Sequence, residues 1–133
     1  MPTLSSYLLV GVGSALGGMA RYWCTGLVAE RWGNVFPWGT LAVNVVGSFL
    51  IGVLATGLVP GGRWLLPGPA RDLLMVGVLG GYTTFSAFSL QTLNLLEQGD
   101  WARAGWNVVL SVTLCLGAVA AGYLLGITAA RSG

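Results

Sequence analysis

The sequence predicts an all-α membrane protein with four transmembrane helices per chain, the third broken at mid-membrane, in a single domain over residues 1–133. Three observations predict it. Four stretches are long and apolar enough to cross a bilayer core, which takes about 20 residues of helix. Charged residues make up only 8% of the chain against 55% hydrophobic, whereas soluble domains carry about 25% charged. The connections between the stretches are short and punctuated by Pro, Gly and Trp, as turns at a membrane surface are.

The first helix is expected over residues 4–29 and holds Arg21, the one charge well inside a span. It lacks the basic n-region of a cleavable signal peptide, and its apolar run is longer than an h-region. "RWGNVFP" leads to the second helix, 38–58, which carries no charge. "VPGGRWLLPGPARD", with Pro60, Gly61, Gly62, Pro67 and Pro69, leads to the third, 73–96, also uncharged. "EQGDWAR" leads to the fourth, 104–127. Trp32, Trp38, Trp64 and Trp101 fall at these joints, where interfacial tryptophans sit. The alternating segments of a β-barrel are not seen.

The third helix carries "GGYTTFSAF" (80–88) at its centre, where a plain lipid anchor would carry Leu, Ile and Val. Gly80 and Gly81 lower helix propensity, and Thr83, Thr84 and Ser86 are able to bond to freed backbone groups. Non-helical backbone at that depth survives only when buried in protein or lining a cavity. The carbonyl ends of a broken helix are partial negative charges that suit a cation; the plainer alternative is a glycine-permitted helix contact. Phe85 and Phe88 are three apart and share a face if helix resumes. They either pack, or turn their electropositive ring edges toward a small anion. Thr40, Asn44 and Ser48 form a polar stripe on the second helix, and Asn107, Ser111 and Cys115 one on the fourth. Such stripes serve as interhelical glue or line a pore; rich in donors and free of carboxylates, they suit an anion.

Other classes lose ground on composition. There is no His and no Lys, and Glu30, Asp72, Glu97 and Asp100 all lie at the margins of the spans, so an enzyme has few acid–base candidates. Cys24 and Cys115 sit within predicted helices and indicate neither a disulfide framework nor a zinc site. Six arginines scattered singly make no nucleic-acid patch. An exporter exchanging protons for cationic drugs needs an acid in its first helix, and residues 4–29 have none. A purely structural subunit leaves the mid-membrane donors unexplained.

Orientation is nearly balanced. Arg63, Arg71 and Arg131 fall on one side and Arg31 and Arg103 on the other, close to no positive-inside bias. A weak bias still gives one orientation; the alternative is insertion both ways. No internal repeat is visible, so two antiparallel copies would supply the inverted symmetry common to transport sites. Gly13, Gly17, Gly122 and Gly126 offer small-residue helix contacts.

Three blocks, "GGMARYW" (17–23), "GTLAVNVVGSFLIG" (39–52) and "GVLGGYTTFSAFSLQT" (77–92), resemble the Fluc, or CrcB, fluoride channels of microbes. The resemblance covers the first three helices in order and spacing, and the fourth as a polar-striped span. It implies a dual-topology antiparallel homodimer in the cell (inner) membrane, in contact with lipid and passing fluoride passively outward to relieve its toxicity. It implies backbone carbonyls of Gly80 and Thr83, from both subunits, around a structural Na⁺. Phe85 and Phe88 match the edge-on pore phenylalanines, Asn44 the pore asparagine, Arg21 the vestibule arginine and Ser111 the hydroxyl on helix four; Thr84 and Ser86 belong to the same path. Ala87, Gln91, Asn107 and Cys115 depart from residues frequent in that family. Gln91, an amide where a glutamate is usual, is the most consequential.

Overall fold

The computed structural model describes residues 1–58 and 65–131, helical over most of their length. Arg63, Trp64 and the turn residues Pro60, Gly61 and Gly62 lie outside the described residues.

α1 runs over Leu4–Trp32. It starts where Thr3 Oγ1 accepts from the Ser6 N–H at 3.3 Å. It stops at Gly33, whose φ of 75° a glycine adopts without a Cβ clash. α2 (Trp38–Ala55) begins after Pro37 and is prolonged by a 3₁₀ turn, Thr56–Leu58. The third long element is composite. α3 (Gly68–Arg71) opens after Pro67, a π-helix winds over Asp72–Leu79, and a single turn, α4 (Gly80–Tyr82), closes the first half. Thr83 (φ −85°, ψ 157°) and Thr84 (φ −154°, ψ 113°) are extended. α5 (Phe85–Glu97) resumes the helix, and a short turn leads into α6 (Trp101–Arg131).

Among the described residues, three stretches are long and apolar enough to cross a membrane: Trp38–Leu58, Gly68–Glu97 and Trp101–Ala130. The chain is a multi-pass membrane protein. α1 has 29 residues, as long as these spans, but Ser5, Ser6, Ser14, Arg21 and Glu30 make it less apolar.

The break is real, but it is not where glycine propensity placed it. Gly80 keeps helical angles (φ −62°, ψ −37°), Gly81 lies in the α4 turn, and the two threonines that follow carry the extended backbone. The physical reason is that Gly81 serves packing. A Cβ there would stand 2.5 Å from the Ser14 carbonyl oxygen, so its bare backbone lets the third element meet α1. The same holds for the small-residue pairs expected to make helix contacts, which are used inside one chain. Gly13 and Gly17 face the backbone of the third element, and Gly122 and Gly126 face Phe49 and Thr56 on the α2 side. α2 therefore lies along α6, and α1 along the π-helical half of the third element.

Few large side chains are buried: Leu41, Val43, Leu79, Phe88 and Leu95 carry most of the described core. Most other large apolar residues face outward, the arrangement expected when lipid or a second copy, not water, surrounds the helices.

Candidate functional site

Breaking a helix frees backbone groups that the bilayer cannot satisfy. Here α2 supplies the partner. Asn44 Nδ2 donates to the Thr84 carbonyl at 3.0 Å, and Asn44 Oδ1 accepts from the Thr84 N–H at 2.8 Å. One amide side chain thus occupies both polar groups of one residue at the break. In an uninterrupted helix the Thr84 N–H would close onto Gly80 O. Its diversion to Asn44 leaves the Gly80 carbonyl without that donor. The Thr83 hydroxyl and N–H both turn back to the Leu79 carbonyl, at 2.9 and 3.0 Å. Thr84 Oγ1 caps the new helix by accepting from the Ala87 N–H at 3.1 Å. Gly47, nearly one turn beyond Asn44, makes the approach possible, because a Cβ there would collide with the Thr83 methyl group.

Around the break lies a cleft of about 410 Å³. α2 contributes Asn44 and Ser48, α6 contributes Ser111 and Cys115, and the third element contributes Gly80, Thr83, Thr84 and both phenylalanines. The Phe85 and Phe88 rings are 5.2 Å apart and tilted by 52°. Phe88 is 8% exposed and Phe85 78% exposed, so one ring is buried in the wall and the other lies beside it, largely uncovered. Among the described residues, no charged side chain lines the cleft. Its polarity comes from hydroxyls, one amide and two helix ends: the carbonyl end of α4 and the N–H end of α5, which carry partial charges of opposite sign.

The residues forming this cleft all lie between residues 8 and 123. A family model described as "CrcB-like protein, Camphor Resistance (CrcB)" matches residues 8–123. The chain belongs to the CrcB family. It is similar to the "Fluoride-specific ion channel FluC" of Opitutus terrae, 56% identical over 124 residues, which cover 93% of this chain and 94% of that protein. It is also similar to proteins of the same name from Methylocella silvestris (53% over 121 residues; 91% and 92% covered) and Rhodospirillum rubrum (53% over 119 residues; 90% and 92% covered).

In this CrcB-family chain, the cleft brings together six of the positions singled out from sequence in Gly80, Thr83, Thr84, Phe85, Phe88 and Asn44, with Ser111 opposite them. Two others stand apart. Ser86 is exposed and lies 3.2 Å from the Thr84 hydroxyl. Arg21 is half-buried on α1 and does not line the cleft. The ion pairs among the described residues are Arg71–Asp72 and Arg103–Asp100, so Arg21 is not in one. The two readings of the α2 stripe meet in Asn44, which ties α2 to the break and also forms part of the cleft wall.

The α6 stripe divides. Ser111 and Cys115 face the cleft, whereas Asn107, 2% exposed, donates to Thr92 Oγ1 at 2.9 Å. Thr92 in turn donates to the Phe88 carbonyl at 2.8 Å, linking α6 to the helix turn that carries the buried ring. Thr92 was not picked out from sequence; its spacing of four from Phe88 was the available signal. Gln91 Oε1 is buried without a partner, the single such side-chain atom among the described residues.

Proposed function

We propose that the chain is the subunit of a fluoride-selective channel, four spans with α1 as the first, working as an antiparallel dual-topology homodimer. It lets F⁻ leave the cytoplasm passively through the inner membrane and so relieves fluoride toxicity. The observation that carries this reading is the uncharged cleft in which Asn44, Ser48, Thr84 and Ser111 meet the tilted Phe85–Phe88 pair at the start of α5. The names of its relatives support the choice of anion.

The chemistry follows from what the cleft lacks as well as what it holds. Hydroxyl and amide donors replace part of an anion's hydration shell without a full positive charge that would trap it. Ring edges and the N–H end of α5 are weakly electropositive and add to that field. A narrow path so lined admits a small, strongly hydrogen-bonding anion and excludes a larger one. No step needs an acid, a base or a nucleotide, because hydrogen fluoride that enters as a neutral acid ionises inside and the anion leaves down its gradient. Phe85, 78% exposed, would then be covered by the second copy, completing a wall that one chain leaves open.

A structural Na⁺ at the dimer centre fits the residues present. Gly80 is exposed, nothing but the Met75 carbonyl lies within 4 Å of a Cβ placed on it, and its own carbonyl has lost the Thr84 donor. Neutral carbonyl oxygens suit a hard cation, and no cluster of His, Cys, Asp or Glu among the described residues offers a rival site. The carbonyls of Gly80 and Thr83 would hold the ion together with those of the partner copy. When bound, it would tie the two α4 ends together.

The test is anion efflux from liposomes containing the purified protein, read with a fluoride electrode and repeated with chloride. Rapid fluoride release with negligible chloride release is expected. Folded, dimeric protein that releases no fluoride would overturn the reading.

A further inference from the structure

Two neighbouring hollows, which share Trp32 and Trp38 and together form a groove, lie on the other side of α2 and α6. On α6 the groove is lined by Arg103, Trp106, Leu110 and Leu114, and on α2 by Trp38, Ala42 and Val45. At about 100° per residue, these positions sit roughly 165° from the cleft-lining residues of α6 and roughly 140° from those of α2. The groove therefore faces away from the cleft. It is polar at one end only. Arg103 stands at the start of α6 with Trp32, Trp38 and Trp106 around it, and Val28, Val45, Val46 and Leu114 follow deeper in. The apolar part has a volume of about 590 Å³.

We infer that this groove binds one phospholipid with a zwitterionic, primary-ammonium headgroup, phosphatidylethanolamine, with an acyl chain along α6 from Trp106 to Leu114. Three observations point to that occupant. Trp32, Trp38 and Trp106 are 66%, 43% and 60% exposed, and their indole N–H groups have no hydrogen-bond partner among the described residues, leaving donors for phosphate and ester oxygens at an interface. Arg103 is held at 2.6 Å by Asp100, so the polar end presents a guanidinium for a phosphate with a carboxylate beside it for an ammonium. The same end of the chain carries Arg31 and Arg103 against Glu30, Glu97 and Asp100, a balance that disfavours a headgroup of net negative charge. The site does not depend on the cleft, so its test stands apart from fluoride flux.

The protein, extracted from vesicles of equal phosphatidylethanolamine and phosphatidylglycerol, is examined by native mass spectrometry for retained lipid. Retention of phosphatidylethanolamine in preference to phosphatidylglycerol is expected. Arg103→Ala should weaken it about tenfold, the loss expected for one charge-assisted contact. Leu114→Trp, which fills the apolar part while leaving the rim intact, should abolish it without lowering fluoride efflux. Equal retention of the two lipids, or unchanged retention in Leu114→Trp, would overturn the inference. So would a change in dimer content in that variant with lipid retention unaltered, which would assign the groove to another copy of the chain.

Discussion

Asn44 and Thr84, forty residues apart in the chain, exchange two hydrogen bonds of 3.0 and 2.8 Å, and these are what hold the third element open at its break. Asn44→Leu removes both and strands a buried N–H and carbonyl, a loss of about 2–4 kcal/mol. Asn44→Asp keeps an acceptor for the Thr84 N–H but loses the donor and adds a negative charge to the cleft. Fluoride efflux is expected to fall sharply in both variants, and unfolding in detergent read by circular dichroism should show both less stable than the wild type. Wild-type flux in Asn44→Asp would confine the residue to holding helices together.

Phe88 is the buried member of the ring pair. Phe88→Ile keeps an apolar side chain in the same wall and costs stability by about 1–2 kcal/mol. It removes the ring edge, so fluoride efflux should drop while the elution volume of the dimer stays the same. Efflux at the wild-type rate would leave the ring a packing role only.

Glycines in this chain differ in what stands opposite them. A Cβ on Gly81 would meet the Ser14 carbonyl at 2.5 Å and its Cα at 2.9 Å, whereas one on Gly18 would meet nothing within 4 Å. Gly81→Ala should therefore cost at least about 2 kcal/mol by pushing α1 off the third element. Gly18→Ala should be neutral or stabilising by up to about 1 kcal/mol through helix propensity. Paired thermal melts check this, and similar melting temperatures would contradict the tight seam.

A Na⁺ at the centre of the proposed dimer would make assembly sensitive to the counter-cation. Purification with a large organic cation in place of Na⁺ should lower the dimer fraction and the efflux rate, and returning Na⁺ should restore both. Efflux that ignores the exchange throughout would remove the ion from the reading.

Gln91 carries the one buried side-chain oxygen without a partner among the described residues. Replacing an unsatisfied polar group by an apolar one of similar size is close to neutral or favourable, so Gln91→Leu should change stability by less than about 1 kcal/mol. Gln91→Glu places a carboxylate at the same spot, with no donor to meet it, and should be the less stable of the two. Flux measured in both variants then reports whether an amide at this position matters to the ion.

The sequence by itself determined what depends on composition and local spacing. The low charge and the long apolar runs made the chain a membrane protein, and capping-competent threonines beside a glycine pair located the break to within a few residues. The polar stripes on α2 and α6 were visible because a helix repeats every 3.6 residues whatever it packs against. Only the tertiary structure decided what each residue in those patterns does. What each residue does depends on what lies across from it: Ser14 stands where a Cβ on Gly81 would be, so the glycine serves close packing, and Asn44 opposite Thr84 meets the extended backbone with two hydrogen bonds. The Asn107–Thr92 bond, which joins α6 to α5, is likewise invisible to local spacing. Phe85 and Phe88, alike in sequence and with rings 5.2 Å apart, end at 78% and 8% exposure because the packed chain covers one ring and leaves the other, at the first position of α5, open. A local pattern shows that a polar group needs a partner, and only the packed chain shows which partner it has.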